Sequence, residues 1–151
     1  MAGYSGTPLA KKLGIREGHR VALVGAPEGF EAKLAPLPEG VRLSRRAQGR
    51  LDVVLFFSRS EADLVDRFFR LKERLEPVGG LWIAWPKKAS GVATDLSFDA
   101  VQRVGLAAGL VDNKVCAVDE TWSGLRFVYR LKDRPPTSAR GSRDPSARRG
   151  R

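Results

Sequence analysis

A single cysteine, Cys116, and a single histidine, His19, are the chain's whole supply of the two residue types that most often carry zinc or nucleophilic chemistry. One cysteine excludes an internal disulfide. One of each leaves a His/Cys zinc site without ligands and a Ser–His or Cys–His catalytic pair without plausible geometry. Cys116 lies inside an apolar run, where a small buried hydrophobe is its ordinary role. His19 sits just before the first apolar run, at the end of a parallel strand opposite to the usual binding crevice. No catalytic residue and no metal ligand is therefore assigned, and no cofactor is expected. Long hydrophobic stretches are also missing. None approaches the ~20 residues a bilayer-spanning helix needs. Residues 1–6 show no apolar core of a secretory signal. The expectation is a cytoplasmic protein with no membrane partner.

What the chain has in excess is positive charge. Its 151 residues carry a formal +10, with hydrophobic residues at 42%, enough for one packed domain. The charge is unevenly placed. Residues 133–151 hold six arginines against two aspartates and no large apolar side chain, which leaves +4 there and +6 on the rest. Such a segment cannot bury enough surface to offset its ordering entropy. The expected division is a domain over residues 1–132 and a disordered basic tail over 133–151. Arg140, Arg143, Arg148 and Arg149 in that tail suit weak, salt-sensitive contact with nucleic acid. No aromatic stacking platform or groove-reading motif supports anything more specific.

Four short apolar runs, at 21–24, 53–57, 81–85 and 115–118, are rich in β-branched and aromatic residues and do not alternate. They read as strands covered on both faces. Residues 41–43 form a weaker strand near an edge. Thr7 is expected to cap a short helix with Pro8 in its first turn and Gly14 as its stop. Ser60 caps the clearest helix, where Leu64, Phe68, Leu71 and Leu75 share one face and Pro77 and Gly79-Gly80 mark the end. A second helix covers about 98–108, and a short one lies near 28–34. The final runs, 115–118 and 125–130, are too close for a crossover and must form a hairpin. The fold class is α/β: a Rossmann-like, mostly parallel sheet of about six strands, closed by a C-terminal antiparallel hairpin, with helices on both faces.

That arrangement resembles the class I S-adenosylmethionine-dependent methyltransferase fold. Residues 51–57 look like its fourth strand, and 75–87 like the following helix end and fifth strand, with one strand–helix unit missing. Residues 3–131 are also similar to a family of short bacterial proteins known as a domain of unknown function; 4–14, 25–30, 85–96 and 111–127 carry that likeness. The methyltransferase resemblance implies a glycine loop after the first strand and an acid ending the second, where it binds the ribose. Here the loop is Gly25-Ala26-Pro27-Glu28-Gly29-Phe30, in which Pro27 offers no N–H, and the second strand ends in Ser44-Arg45-Arg46. A truncated, degenerate and non-catalytic relative is the expectation.

The carboxyl ends of parallel strands are the default ligand crevice of such a sheet. They gather Gly25, Glu28 and Gly29 from the first loop, Lys87, Lys88 and Ser90 from another, and Asp119, Glu120 and Trp122 from the hairpin. Lys87, Lys88 and Ser90 can hold a phosphate or carboxylate, Trp122 can stack on a flat ligand, and Asp119 or Glu120 can orient a hydroxyl or act as a base. Equally, the lysines can pair with Asp119 or Glu120, and Trp122 can cover the sheet. Three functions stay open: a non-catalytic binding or regulatory module for an anionic small ligand or an unidentified protein partner, a diverged methyltransferase-like transferase, and a nucleic-acid-associated protein using its tail.

Overall fold

The structure is a computed structural model that describes residues 6–136. Six strands form one sheet: β1 (Arg20–Val24), β2 (Arg42–Ser44), β3 (Leu51–Phe57), β4 (Leu75–Pro86), β5 (Leu110–Ala117) and β6 (Trp122–Tyr129). Their spatial order is β2-β1-β3-β4-β6-β5. The first four are mutually parallel. β6 enters antiparallel between β4 and β5, so β5 again runs parallel to β4. The sheet is thus the expected mostly parallel one, closed by a hairpin.

The alternation along each strand divides the core in two. Val54, Phe56, Leu81, Ile83, Leu125 and Phe127 face one way and pack under α2 (Glu61–Glu73) and α3 (Phe98–Ala107). Val53, Leu55, Phe57, Trp82 and Ala84 face the other way, under α1 (Leu9–Lys12) and a 3-10 turn, Phe30–Leu34. The unbroken apolar runs 53–57 of β3 and 81–85 of β4 follow from being covered on both sides.

The two long helices follow their sequence signals. Ser60 Oγ accepts from the Asp63 amide at 3.0 Å, and Leu64, Phe68 and Leu71 are buried along one stripe. Ser97 caps α3 in the same way. Gly105 of α3 sits against Phe127, whose ring would overlap a Cβ there. The face-to-edge pair Phe68–Phe127, 5.5 Å between ring centres, locks α2 to β6.

Several local expectations change. The run at 115–118 is not covered on both faces: it lies largely in β5, the outer strand, where Val115 is 56% exposed and Cys116 is only partly buried. Leu75 does not extend the α2 stripe but opens β4. Thr7 does not cap α1; Pro8 is the cap residue, with no side-chain bond, and Gly14 takes the left-handed conformation at φ +83°. The segment at 28–34 winds as a 3-10 turn rather than an α-helix. Pro77 and Gly79-Gly80 do not end α2, which stops at Glu73. They lie inside β4, where pairing with β3 jumps from Leu51↔Leu75 to Val53↔Gly80. Proline cannot donate to a ladder and glycine accepts a close backbone, so all three suit a strand irregularity. A Cβ on Gly79 would stand 2.8 Å from the Asp52 carbonyl. A second irregularity interrupts β5 between Asp112 and Lys114.

Among the described residues no helix is long and apolar enough to cross a membrane. The chain leaves the sheet through a 3-10 turn, Leu131–Asp133, that buries nothing. Arg140, Arg143, Arg148 and Arg149 lie outside the described residues.

Candidate ligand crevice

The chain runs from β1 out to β2 and then returns past β1 to β3, so the sheet reverses direction between β1 and β3. In open α/β sheets the crevice at the carboxyl side of such a reversal is the customary ligand position. Here it is tight. Gly25 has φ +71°, and a Cβ on it would stand 3.0 Å from the Phe57 carbonyl. Gly29, at φ +78°, turns the loop into the 3-10 segment. That turn drops Phe30 into the core, edge-on to Phe57 at 5.0 Å.

Arg45, the residue after β2, closes over this loop. Its Nη1 donates to the Ala26 carbonyl at 2.8 Å and its Nη2 to the Pro27 carbonyl at 2.9 Å. Nε and Nη2 also form a two-point bridge to the Glu31 carboxylate, at 2.7 and 2.9 Å. The hydrogen bond from Arg45 is the main reason that Glu31 titrates at about 2 instead of 4.5. The nearby charge of Glu28 adds to the field that keeps Arg45 protonated. One guanidinium thus ties the end of β2 to the loop after β1.

The other two loops are joined by backbone. The Lys87 amide donates to the Thr121 carbonyl at 2.8 Å, and β4 pairs with β6 as far as Pro86↔Trp122. Ser90 serves its own turn: its hydroxyl donates to the Lys87 carbonyl at 2.6 Å and accepts from the Val92 amide at 3.1 Å. Lys88 is exposed and Lys87 half-buried. Asp119 organises the hairpin. One carboxylate oxygen accepts from the amides of Thr121 and Trp122, at 2.8 and 2.9 Å, and the other from Lys33 Nζ at 2.8 Å. Burial pushes this carboxyl up, but the Lys33 bond and the two amides outweigh it, and Asp119 stays below the usual range. Trp122 is 7% exposed, edge-on to Phe57 at 5.0 Å.

Of the residues singled out in the sequence, the structure brings Asp119 and Glu120 together at a cavity of about 450 Å³, shared with Lys33, Lys12, Pro8 and Leu9. Glu120 is exposed, 3.9 Å from Lys33 Nζ. Trp122 belongs to the aromatic column Phe30–Phe57–Trp122 inside the core. Gly25, Glu28 and Gly29 stand with Arg45 and Glu31. The cation that meets Asp119 is Lys33, not Lys87 or Lys88; 86 positions separate the pair, and no local pattern announces it. Burial raises the Cys116 thiol, with Lys12 and Lys114 opposing in part. Among the described residues no group of three His, Cys, Asp or Glu side chains could hold a metal ion.

The reversal between β1 and β3, and an antiparallel strand set between β4 and β5, define a Rossmann-like, methyltransferase-like protein. Solved structures share that form. A S-adenosylmethionine-dependent methyltransferase from Aquifex aeolicus aligns with a TM-score of 0.56 at 15% identity, over 79% of this chain and 86% of its own. Precorrin-6y C5,15-methyltransferase from Geobacter metallireducens aligns with 0.56 at 12%, over 81% and 86%. Magnesium protoporphyrin IX methyltransferase from Synechocystis, solved with bound S-adenosylmethionine, aligns with 0.53 at 12%, over 76% and 71%. At such identities the likeness is one of fold. No curated protein matches the chain. Residues 10–131 match the family described as "Protein of unknown function (DUF3052)", and the chain belongs to it.

Proposed function

We propose that this protein is a non-catalytic member of the methyltransferase-like fold, a binding or regulatory module for an anionic small ligand or a protein partner. The observation that carries this reading is the Arg45 clamp. S-adenosylmethionine carries a sulfonium cation and a ribose diol. In the resembling fold an acid after the second strand receives that diol, beside an open glycine loop. Here the corresponding residue is Arg45, whose guanidinium covers the carbonyls of Ala26 and Pro27 and is braced by Glu31. A cation in place of an acid disfavours a cationic ligand, and an arginine with four hydrogen bonds is not easily displaced. Pro27 removes one loop donor as well. The residues present do not fit the cofactor, and no methyl-transfer step is derived.

Calorimetry of the full chain with S-adenosylmethionine tests the reading. The expected result is no saturable heat at millimolar ligand. Micromolar binding would overturn it in favour of a diverged transferase.

A further inference from the structure

The opposite end of the sheet, away from the clamped crevice, holds a second cleft of about 470 Å³. It opens beneath α1 on the face that α1 and the 3-10 turn cover. Lys11, Lys12, Arg16, Lys114 and Arg126 line it, against a single carboxylate, Asp52. Asp52 already accepts the Arg20 amide at 2.8 Å.

Arg126 is the unusual member. It lies on β6, a central strand, paired with Trp82 of β4, and is partly buried. Its guanidinium has room because Gly80 has no side chain; a Cβ there would overlap it. A partly buried arginine ordinarily faces a carboxylate. Among the described residues Arg126 meets none at salt-bridge distance, and its one side-chain partner is Asn113 Oδ1 at 3.4 Å. Burial first, and the like charge of Arg16 second, depress its pKa. Lys114 adds an ammonium at the mouth, anchored on the Lys12 carbonyl at 2.9 Å. Arg126, Arg16 and Lys114 thus line one cleft whose single carboxylate, Asp52, is already engaged by the Arg20 amide.

We propose that this cleft is a binding site for a small multivalent phosphoryl anion, such as the diphosphate portion of a phosphorylated metabolite. A guanidinium is a strong donor to phosphoryl oxygens, and Arg16 and Lys114 neutralise further charge. Three cations, Arg126, Arg16 and Lys114, favour a multivalent phosphate over a single carboxylate. The cleft volume falls in the range of small-molecule sites, about 300–1,000 Å³. A half-buried floor residue also suits a compact ligand better than a nucleic-acid backbone. The inference rests on the binding-module reading and gives it a ligand class and a place, but it does not depend on the state of the clamped crevice.

The test is calorimetric titration of the full chain with inorganic pyrophosphate at moderate salt. Wild type is expected to bind one equivalent saturably. Arg126→Gln and Arg16→Gln should each weaken binding at least tenfold. Arg70→Gln, which removes the same charge from the distant α2 surface, should leave it unchanged. Arg16 is exposed, so its variant reports even if Arg126→Gln disturbs the sheet. Absence of saturable binding at millimolar pyrophosphate, or equal weakening by Arg16→Gln and Arg70→Gln, would overturn the site. Either result, with S-adenosylmethionine still silent, would remove this site and leave the non-catalytic reading standing.

Discussion

The two faces of the sheet are covered by unequal means. One carries two regular helices, α2 and α3, with side-chain caps and long apolar stripes. The other carries a four-residue helix and a 3-10 turn, neither with a side-chain cap. The heavy face is held by area. The light face buries Leu13, Ile15, Phe30 and Leu34 and is also pinned at points: the Trp82 indole N–H donates to the Leu13 carbonyl at 2.9 Å, Lys114 reaches the Lys12 carbonyl, and Lys33 reaches Asp119. Buried apolar area is non-directional and cooperative, whereas a few hydrogen bonds fix position without filling space. A cover that is pinned leaves gaps at its rim, and the basic cleft below α1 is one such gap.

Three measurements would sharpen or break this contrast. The largest effect belongs to the heavy face. Phe68→Ala removes a fully buried ring packed edge-to-face with Phe127, and should cost about 3–5 kcal/mol in chemical denaturation. A loss below about 1 kcal/mol, far under that range, would mean the α2 stripe is not the main anchor. On the light face, Trp82→Phe keeps a ring in the core but leaves the Leu13 carbonyl without its donor. A smaller loss of about 1–3 kcal/mol is expected, with faster amide exchange concentrated at 9–15. Exchange that instead rises uniformly along the chain would show that the two faces unfold as one unit. The smallest effect concerns the clamp beside the light face. NMR titration of Glu31 should give a midpoint of about 2, and Arg45→Gln should return it toward 4.5. Because the folded value is the lower one, the pair's contribution is complete above about 4.5 and fades as pH falls toward 2. A Glu31 midpoint unmoved by Arg45→Gln would dissolve the clamp.

The same contrast separates what could be read in the chain from what could not. The heavy face was legible because its signals are local. The spacing of Leu64, Phe68 and Leu71, the cap at Ser60 and the short hairpin loop are all encoded within a few residues. Pro77 and Gly79-Gly80 misled because the same residues end helices and interrupt strands, and only the neighbouring strand distinguishes the two. The edge of the candidate crevice could be placed, since all three loops follow strands that run the same way. Its bonding could not. Whether Asp119 meets Lys87, Lys88 or Lys33 depends on where the turn after β1 lands against the hairpin. Arg45 is visible as a cation where the resembling fold has an acid, but its reach back to Ala26 and Pro27 exists only because β2 lies beside β1. Arg126 and Gly80 gave no signal at all, because their contact is made across two strands 46 positions apart.

The irregularity in β5 bears on how the protein behaves in a crowd. β5 is the outer strand of the sheet, and its free border is a template on which another chain's strand could assemble. The break between Asp112 and Lys114 falls in the middle of that border, and it sets an acid, an amide and an ammonium side by side on a strand that also shows an exposed Val115. At the opposite border β2 is only three residues long. Among the described residues one border is irregular and charged and the other is short, both features that disfavour edge-to-edge pairing.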